Sequence, residues 1–222
     1  MKVKTLTLTL ESDKQILEQA HKLRGFFATK FNEYVLLHQH HGDKFIYSYP
    51  LIQYKILNKT PTIIGINEGI DVLKEIYDGY DSIKLGDSEY KIFERGISIK
   101  EHEFGTSEKF QKYHFLTPWF ALSQKNFEEY MKLDLEKRKE KLRKIMIGNI
   151  ISMSKGLKYT VDKEIKLDTK LRQVHSSFKG REIIAFKGEF IVNFNIPDLF
   201  GIGKSVSRGF GTVKKKWIES KS

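Results

Sequence analysis

The chain has 222 residues, of which 40% are hydrophobic and 30% charged, a formal net charge of +11 and no cysteine. That length suits two domains of about 100 residues each, with enough chain to bury cores unaided. The composition excludes disordered and membrane-spanning classes, and the missing cysteines exclude disulfide frameworks, thiolate zinc sites, iron–sulfur clusters and cysteine nucleophiles.

Lys2 to Leu10 alternates, with Val3, Leu6, Leu8 and Leu10 among Lys and Thr, and predicts a first strand. Ser12-Asp13-Lys14-Gln15 has the form of a capping box. Behind it Ile16, Ala20, Leu23, Phe27, Phe31 and Tyr34 recur at steps of three or four, which predicts one long helix fading near His38. Gly42-Asp43 marks a turn. Lys44 to Leu57 reads as a strand interrupted at Pro50, Thr62 to Ile66 as a short buried strand, Asp71 to Tyr77 as a second helix and Glu89 to Glu101 as a strand again. The order β-α-β-β-α-β predicts a ferredoxin-like unit. Further on, Lys109 to Trp119 predicts a strand and Ser123 to Ile147 a helix with a dense mixed-charge surface. Ile165 to Phe178 and Ile183 to Asn195 form a hairpin around Lys179-Gly180-Arg181, and Thr212 to Ile218 is the last strand. A glycine-rich loop stands where a second helix would be. The predicted fold is therefore α+β: two tandem ferredoxin-like domains, 1–120 and 121–222, without a repeat at the level of sequence.

Charge divides unevenly between the halves. Residues 1–120 hold 16 Lys+Arg and 16 Asp+Glu, a net of 0; residues 121–222 hold 23 and 12, a net of +11. A neutral domain joined to a basic one points to a polyanion partner whose binding weakens with salt. No apolar run approaches the ~20 residues of a bilayer helix. The first residues enter alternation directly, without a signal-peptide core, so a cytoplasmic location without a membrane partner is expected.

The most specific motif is Gly201-Ile202-Gly203-Lys204-Ser205-Val206-Ser207-Arg208-Gly209-Phe210-Gly211. Its glycines would leave backbone amides open to a ligand, and Lys204 and Arg208 add charge. It lacks the residue order of a P-loop and opens no predicted helix; a plain glycine-rich turn before a last strand is the structural alternative. The loop, close to the C-terminus and followed by a strand, resembles the signature of the repeat-associated RNA-binding proteins of CRISPR systems. It is closest to their precursor-cleaving endoribonucleases, the Cas-six family. The cluster His38-Gln39-His40-His41 after the first helix, with Tyr47 beyond it, resembles the archaeal B-type enzymes of that family.

The resemblance implies cleavage of CRISPR repeat RNA in precursor crRNA with neither a metal nor an organic cofactor. It gives His40 as the catalytic histidine, His38 as its partner or substitute and Tyr47 as a phosphate-contacting or orienting residue. The family's lysine is not fixed by spacing: Lys30 is the candidate carried forward, with Lys44 and Lys55 open beside it. A homodimer and association with a CRISPR effector complex are the implied protein partners. Chemistry supports the histidines independently, since removing a proton from a 2′-OH and returning one to a 5′-oxygen suits imidazole. Histidines at a helix end can also merely cap it, and His38, His40, His41 and Asp43 could ligate a metal. The expected RNA-binding set is Gly201, Gly203, Lys204, Arg208, Gly209, Gly211, Lys214, Lys215 and Lys216, with Lys170, Arg172, Lys179 and Arg181 on the hairpin as further phosphate contacts and Phe210 or Trp217 for stacking, Phe210 reading equally well as a core anchor. His21, His102, His114 and His175 read as solvated or structural. The same fold also serves non-catalytic RNA-binding subunits of effector complexes, which is the rival reading.

Overall fold

The computed structural model describes residues 1–38, 40–41, 44–45 and 49–216. The chain divides into two compact units: Lys2–His102 with Val206–Gly209, and Met1 with Glu103–Ser205 and the stretch from Phe210. The division falls after 102 rather than near 120, because the strand starting at Gly105 already pairs within the second sheet, opposite Asn195.

The first unit contains β1 (Lys2–Ser12), α1 (Ala20–Lys30), α2 (Val35–His38), β2 (His40–His41), β3 (Lys44–Phe45), β4 (Ile52–Leu57), β5 (Thr60–Ile66), α3 (Gly69–Ile76), β6 (Ser82–Leu85) and β7 (Ser88–Glu103). Its sheet runs β4-β5-β1-β7-β6. The first four are in ferredoxin-like order, and β6 adds an edge hairpin to β7. Alternation in β1 sends Leu6, Leu8 and Leu10 to one face, where they meet Ile63 and Tyr54 of the sheet, Leu23 and Phe27 of α1, and Ile70, Leu73 and Ile76 of α3. Phe27 anchors this core, its ring 5.7 Å from Tyr54 and 5.2 Å from Tyr80. Truncating such a side chain costs about 3–5 kcal/mol.

Two local expectations fail here. Ser12 Oγ donates to Lys14 O at 2.8 Å, and Gln15 Oε1 accepts from Lys59 Nζ at 2.6 Å, so no capping box forms. Ile16 is buried in the core and its amide bonds Lys59 O, which holds this stretch as a packed loop and delays the helix to Ala20. The long helix also breaks at Phe31 (φ −122, ψ 54), whose ring stacks on Phe27. Lys30 and His38 therefore do not share a continuous helical face.

The second unit contains β8 (Gly105–Phe115), α4 (Gln124–Met131), α5 (Leu135–Gly156), β9 (Leu167–Phe178), β10 (Arg181–Asn195) and β11 (Val213–Lys216). Its sheet order, β11-β8-β10-β9, repeats the ferredoxin-like arrangement. The one predicted helix becomes two, since each half has its own cap: Ser123 accepts from the Asn126 amide and Asp134 from the Lys137 amide. Lys179 and Gly180, at φ +52 and +73, make the two-residue hairpin turn that matches strand twist. Between β10 and β11 the chain makes only a single 3-10 turn, Val206–Arg208, among glycines. No helix among the described residues is long and apolar enough to cross a membrane.

Candidate nucleic-acid site

The glycines of the loop are explained first by space. Gly211 has φ +65, and a Cβ there would lie 1.9 Å from Ile202 O; at Gly203, φ +95, it would lie 2.5 Å from Trp119 Nε1. Several loop amides are already committed: Ile202 N to Gly211 O, Lys204 N to Phe120 O, Gly209 N to Val206 O and Gly211 N to Pro118 O. Gly209 and Gly211 thus bond their amides within the protein rather than presenting them to a ligand, and the loop glycines have a steric role. They let the loop fold tightly on itself and leave Lys204 exposed at the surface. Gly201 is buried and bridges to Thr212.

Gly209 does something else. It belongs with the first unit, where a Cβ would meet Ala20 Cβ at 2.7 Å and Tyr54 O at 3.1 Å. This close approach seats the 3-10 turn on β4 and on the start of α1, beside His21 and Arg24. Burial, then Arg208, then Lys22 hold His21 below the ordinary histidine range. Burial and Arg208 likewise depress the Arg24 guanidinium. Four cationic or protonatable groups thus crowd the positive end of a helix whose first turn holds no acid. Their mutual repulsion makes the spot favourable for an anion such as phosphate. His21, read as solvated or structural, and Arg24, not singled out, lie within electrostatic reach of residue 208. No local signal marks them, because their neighbour returns from more than 180 positions away.

The second unit offers an extended basic face. Tyr113, Phe190 and Val213 point into its core, so the alternate positions share the opposite face. The registers Lys214↔His114, Lys216↔Lys112, Glu189↔His114, Lys170↔Glu189 and Arg172↔Lys187 place Lys112, Lys170, Arg172, Lys187, Lys214 and Lys216 together there. Glu189 offsets part of this charge. It pairs with Lys112 and Lys216, and hydrogen bonds to both hold its carboxyl down at about 2. On the same face His114 is pushed below its ordinary range by burial and then by Lys216. Lys215 lies on the other side of β11, and its amide bonds Asp198. The triplet Lys214, Lys215 and Lys216 is therefore not one continuous track.

Of the candidate catalytic residues, Lys30 ends α1 and His38 and His40 lie on the short elements that follow it in the first unit. Leu37, in the core, and Tyr34, whose hydroxyl donates to Glu75 at 2.7 Å, anchor α2. His38 ends that helix and His40 opens β2, which pairs with β3 through His40↔Phe45. Tyr47 lies outside the described residues, as do Asp43 and Trp217. Lys30 is exposed in the last turn of α1, its Nζ 5.7 Å from the Phe31 ring. Lys55 is fully buried and donates to Gln53 Oε1 at 3.0 Å, a place for a structural lysine rather than a phosphate clamp. Burial lowers its ammonium to about 7. No group of three or more metal-competent side chains occurs among the described residues.

Two units of one strand order, the second crossing over through a glycine-rich turn and carrying the cationic surplus, define a tandem ferredoxin-like protein. Residues 1–103 match the family model of the Cas6b N-terminal domain and residues 105–216 that of the Cas6b C-terminal domain, and the chain belongs to the Cas6b family. An uncharacterized protein of Methanocaldococcus jannaschii is 44% identical over 140 residues, covering 63% of this chain and 95% of that protein. A crystal structure of Cas6b is 39% identical, with a TM-score of 0.92 over 97% of this chain and 100% of the other. A second, described as CRISPR RNA processing endoribonuclease Cas6b, is 38% identical, with a TM-score of 0.78 and the same coverage.

Proposed function

We propose that the chain is a metal-independent endoribonuclease that binds CRISPR repeat RNA and cuts precursor crRNA within the repeat. The observation that carries this reading is the likeness over 97% of the chain to a Cas6b described as a CRISPR RNA processing endoribonuclease. In this mechanism one of His40 and His38 takes the proton of the 2′-OH, and that oxygen attacks the adjacent phosphorus in line. The bond to the 5′-oxygen breaks as the other histidine gives it a proton. The products are a 2′,3′-cyclic phosphate and a 5′-hydroxyl. Lys30 and Tyr47 stabilise charge on the phosphate oxygens, a neighbouring phosphate rests on Arg208, Arg24 and His21, and the basic sheet face holds the strand.

The test is purified protein with end-labelled repeat RNA, with and without EDTA. Cleavage is expected in both, and His38→Ala with His40→Ala is expected to lower the rate about 1,000-fold or more while affinity stays within a few-fold. No product from the wild type would favour a non-catalytic binding subunit, and loss of cleavage in EDTA alone would favour a metal site at the histidines.

A further inference from the structure

A cavity of about 570 Å³ in the second unit has no part in this scheme, yet its size is that of ligand sites, roughly 300–1,000 Å³. It lies where the β9–β10 ribbon outruns its neighbour. β8 pairs with β10 between Glu189 and Asn195, whereas β9 and β10 stay paired as far as Phe178↔Arg181. Phe120, Phe127, Phe178, Gln124 and Arg181 are among the residues that line it.

Phe120 and Phe178 stand 5.4 Å apart, and Phe210 braces both at 5.7 and 6.1 Å. Phe127, on α4, is 37% exposed. Rings fixed by a third ring and facing an open cavity form a stacking platform. Charge selects what stacks there. Lys179 places its Nζ 5.7 Å from the Phe178 ring, Arg181 forms part of the wall, and Lys170 and Arg172 are exposed further along the same ribbon. Glu182, also in the wall, is tied to His175 Nδ1. Gln124 brings an amide that both donates and accepts. Aromatic faces beside cations, with a polar group for an edge, are what an unpaired base and its phosphate require.

We propose that this cavity seats an unpaired nucleobase of the bound RNA, stacked on Phe120 and Phe178 and held against them by Phe127, with the adjoining phosphate on Arg181 and Lys179; the assignment rests on the RNA-cleaving reading above. It makes the second unit a reader of single-stranded RNA as well as a holder of charge.

The test uses the full chain with repeat RNAs carrying 2-aminopurine at successive positions, and with a fully paired RNA duplex of the same sequence. Wild type is expected to quench the fluorophore at one position and to bind the single strand about tenfold more tightly than the duplex. Phe178→Leu and Phe127→Ala are expected to abolish that quench and weaken single-strand binding about tenfold, with the salt dependence unchanged. Phe178→Tyr keeps the quench, and Arg181→Gln lowers the salt slope by about one. Phe127 is exposed, so its variant carries the test if Phe178→Leu does not fold. Unchanged quench and affinity in Phe127→Ala, with RNA still cut, overturns the cavity's role alone. A wild type that neither binds nor cuts RNA overturns this and the nuclease reading together. Loss of self-association in Phe127→Ala with RNA binding intact assigns the cavity to a second copy of the chain and overturns the proposal.

Discussion

The two units share a strand order and differ in how they make their second crossover. In the first, α3 turns Ile70, Leu73 and Ile76 into the core and closes the sheet in the ordinary way. In the second, residues 196–212 make glycine turns and one short 3-10 turn. The helix is therefore dispensable to the sheet, and the chain released from it serves another purpose: residues 206–209 join the first unit and carry Arg208 to α1. A second contrast concerns cations. The first unit buries a lysine completely, while the second displays its lysines along a sheet face.

The sharpest way to break the first contrast is to substitute the loop as one would a core helix. Gly211→Ala forces a Cβ against the Ile202 carbonyl at positive φ and is expected to cost about 3 kcal/mol or more, comparable with Leu73→Ala. Urea unfolding checks it, and a cost under about 1 kcal/mol would make the loop a flexible connector. The next effect bears on Lys55. Its folded pKa, about 7, lies below the ordinary 10.5, so the unfolded chain binds more protons between these values and stability rises with pH across that window. Lys55→Met is expected to stabilise the protein at pH 7 by about 2–4 kcal/mol, an advantage that shrinks toward pH 10. Thermal melts at both pH values decide this, and a constant gap would mean that burial does not lower the pKa of Lys55. The smallest effect sharpens the second contrast. Lys214→Gln should lower the slope of log affinity against log salt by about one, and Lys215→Gln should leave it unchanged. Equal slopes for the two variants would show that RNA does not follow the in-register face.

Much of the fold was legible where local pattern and tertiary burial agree. The leucines of β1 alternate because one sheet face is core, and Lys179-Gly180 supplies the positive φ that a tight hairpin needs. The resemblance carried by the glycine loop led to the family. Where they disagree, the local motif misled. Ser12 to Gln15 has the letters of a cap, but burial of Ile16 overrides it, and the helix predicted through His38 ends when Phe31 turns to stack on Phe27. The cationic cluster at α1 was illegible for a different reason: His21 and Arg24 look like ordinary surface positions until Arg208 is brought beside them. Lys214 and Lys215 look equivalent in sequence and are separated only by strand parity.

Val206–Gly209 pack with the first unit although they are made about a hundred residues after it. A ribosome that has released the first hundred residues has released an unfinished fold, since the piece that packs beside Ala20 and Tyr54, Val206–Gly209, is still to be made. The amino-terminal unit can reach its final form only after Val206–Gly209 have left the exit tunnel, so a fragment cut at residue 103 would lack part of its own structure.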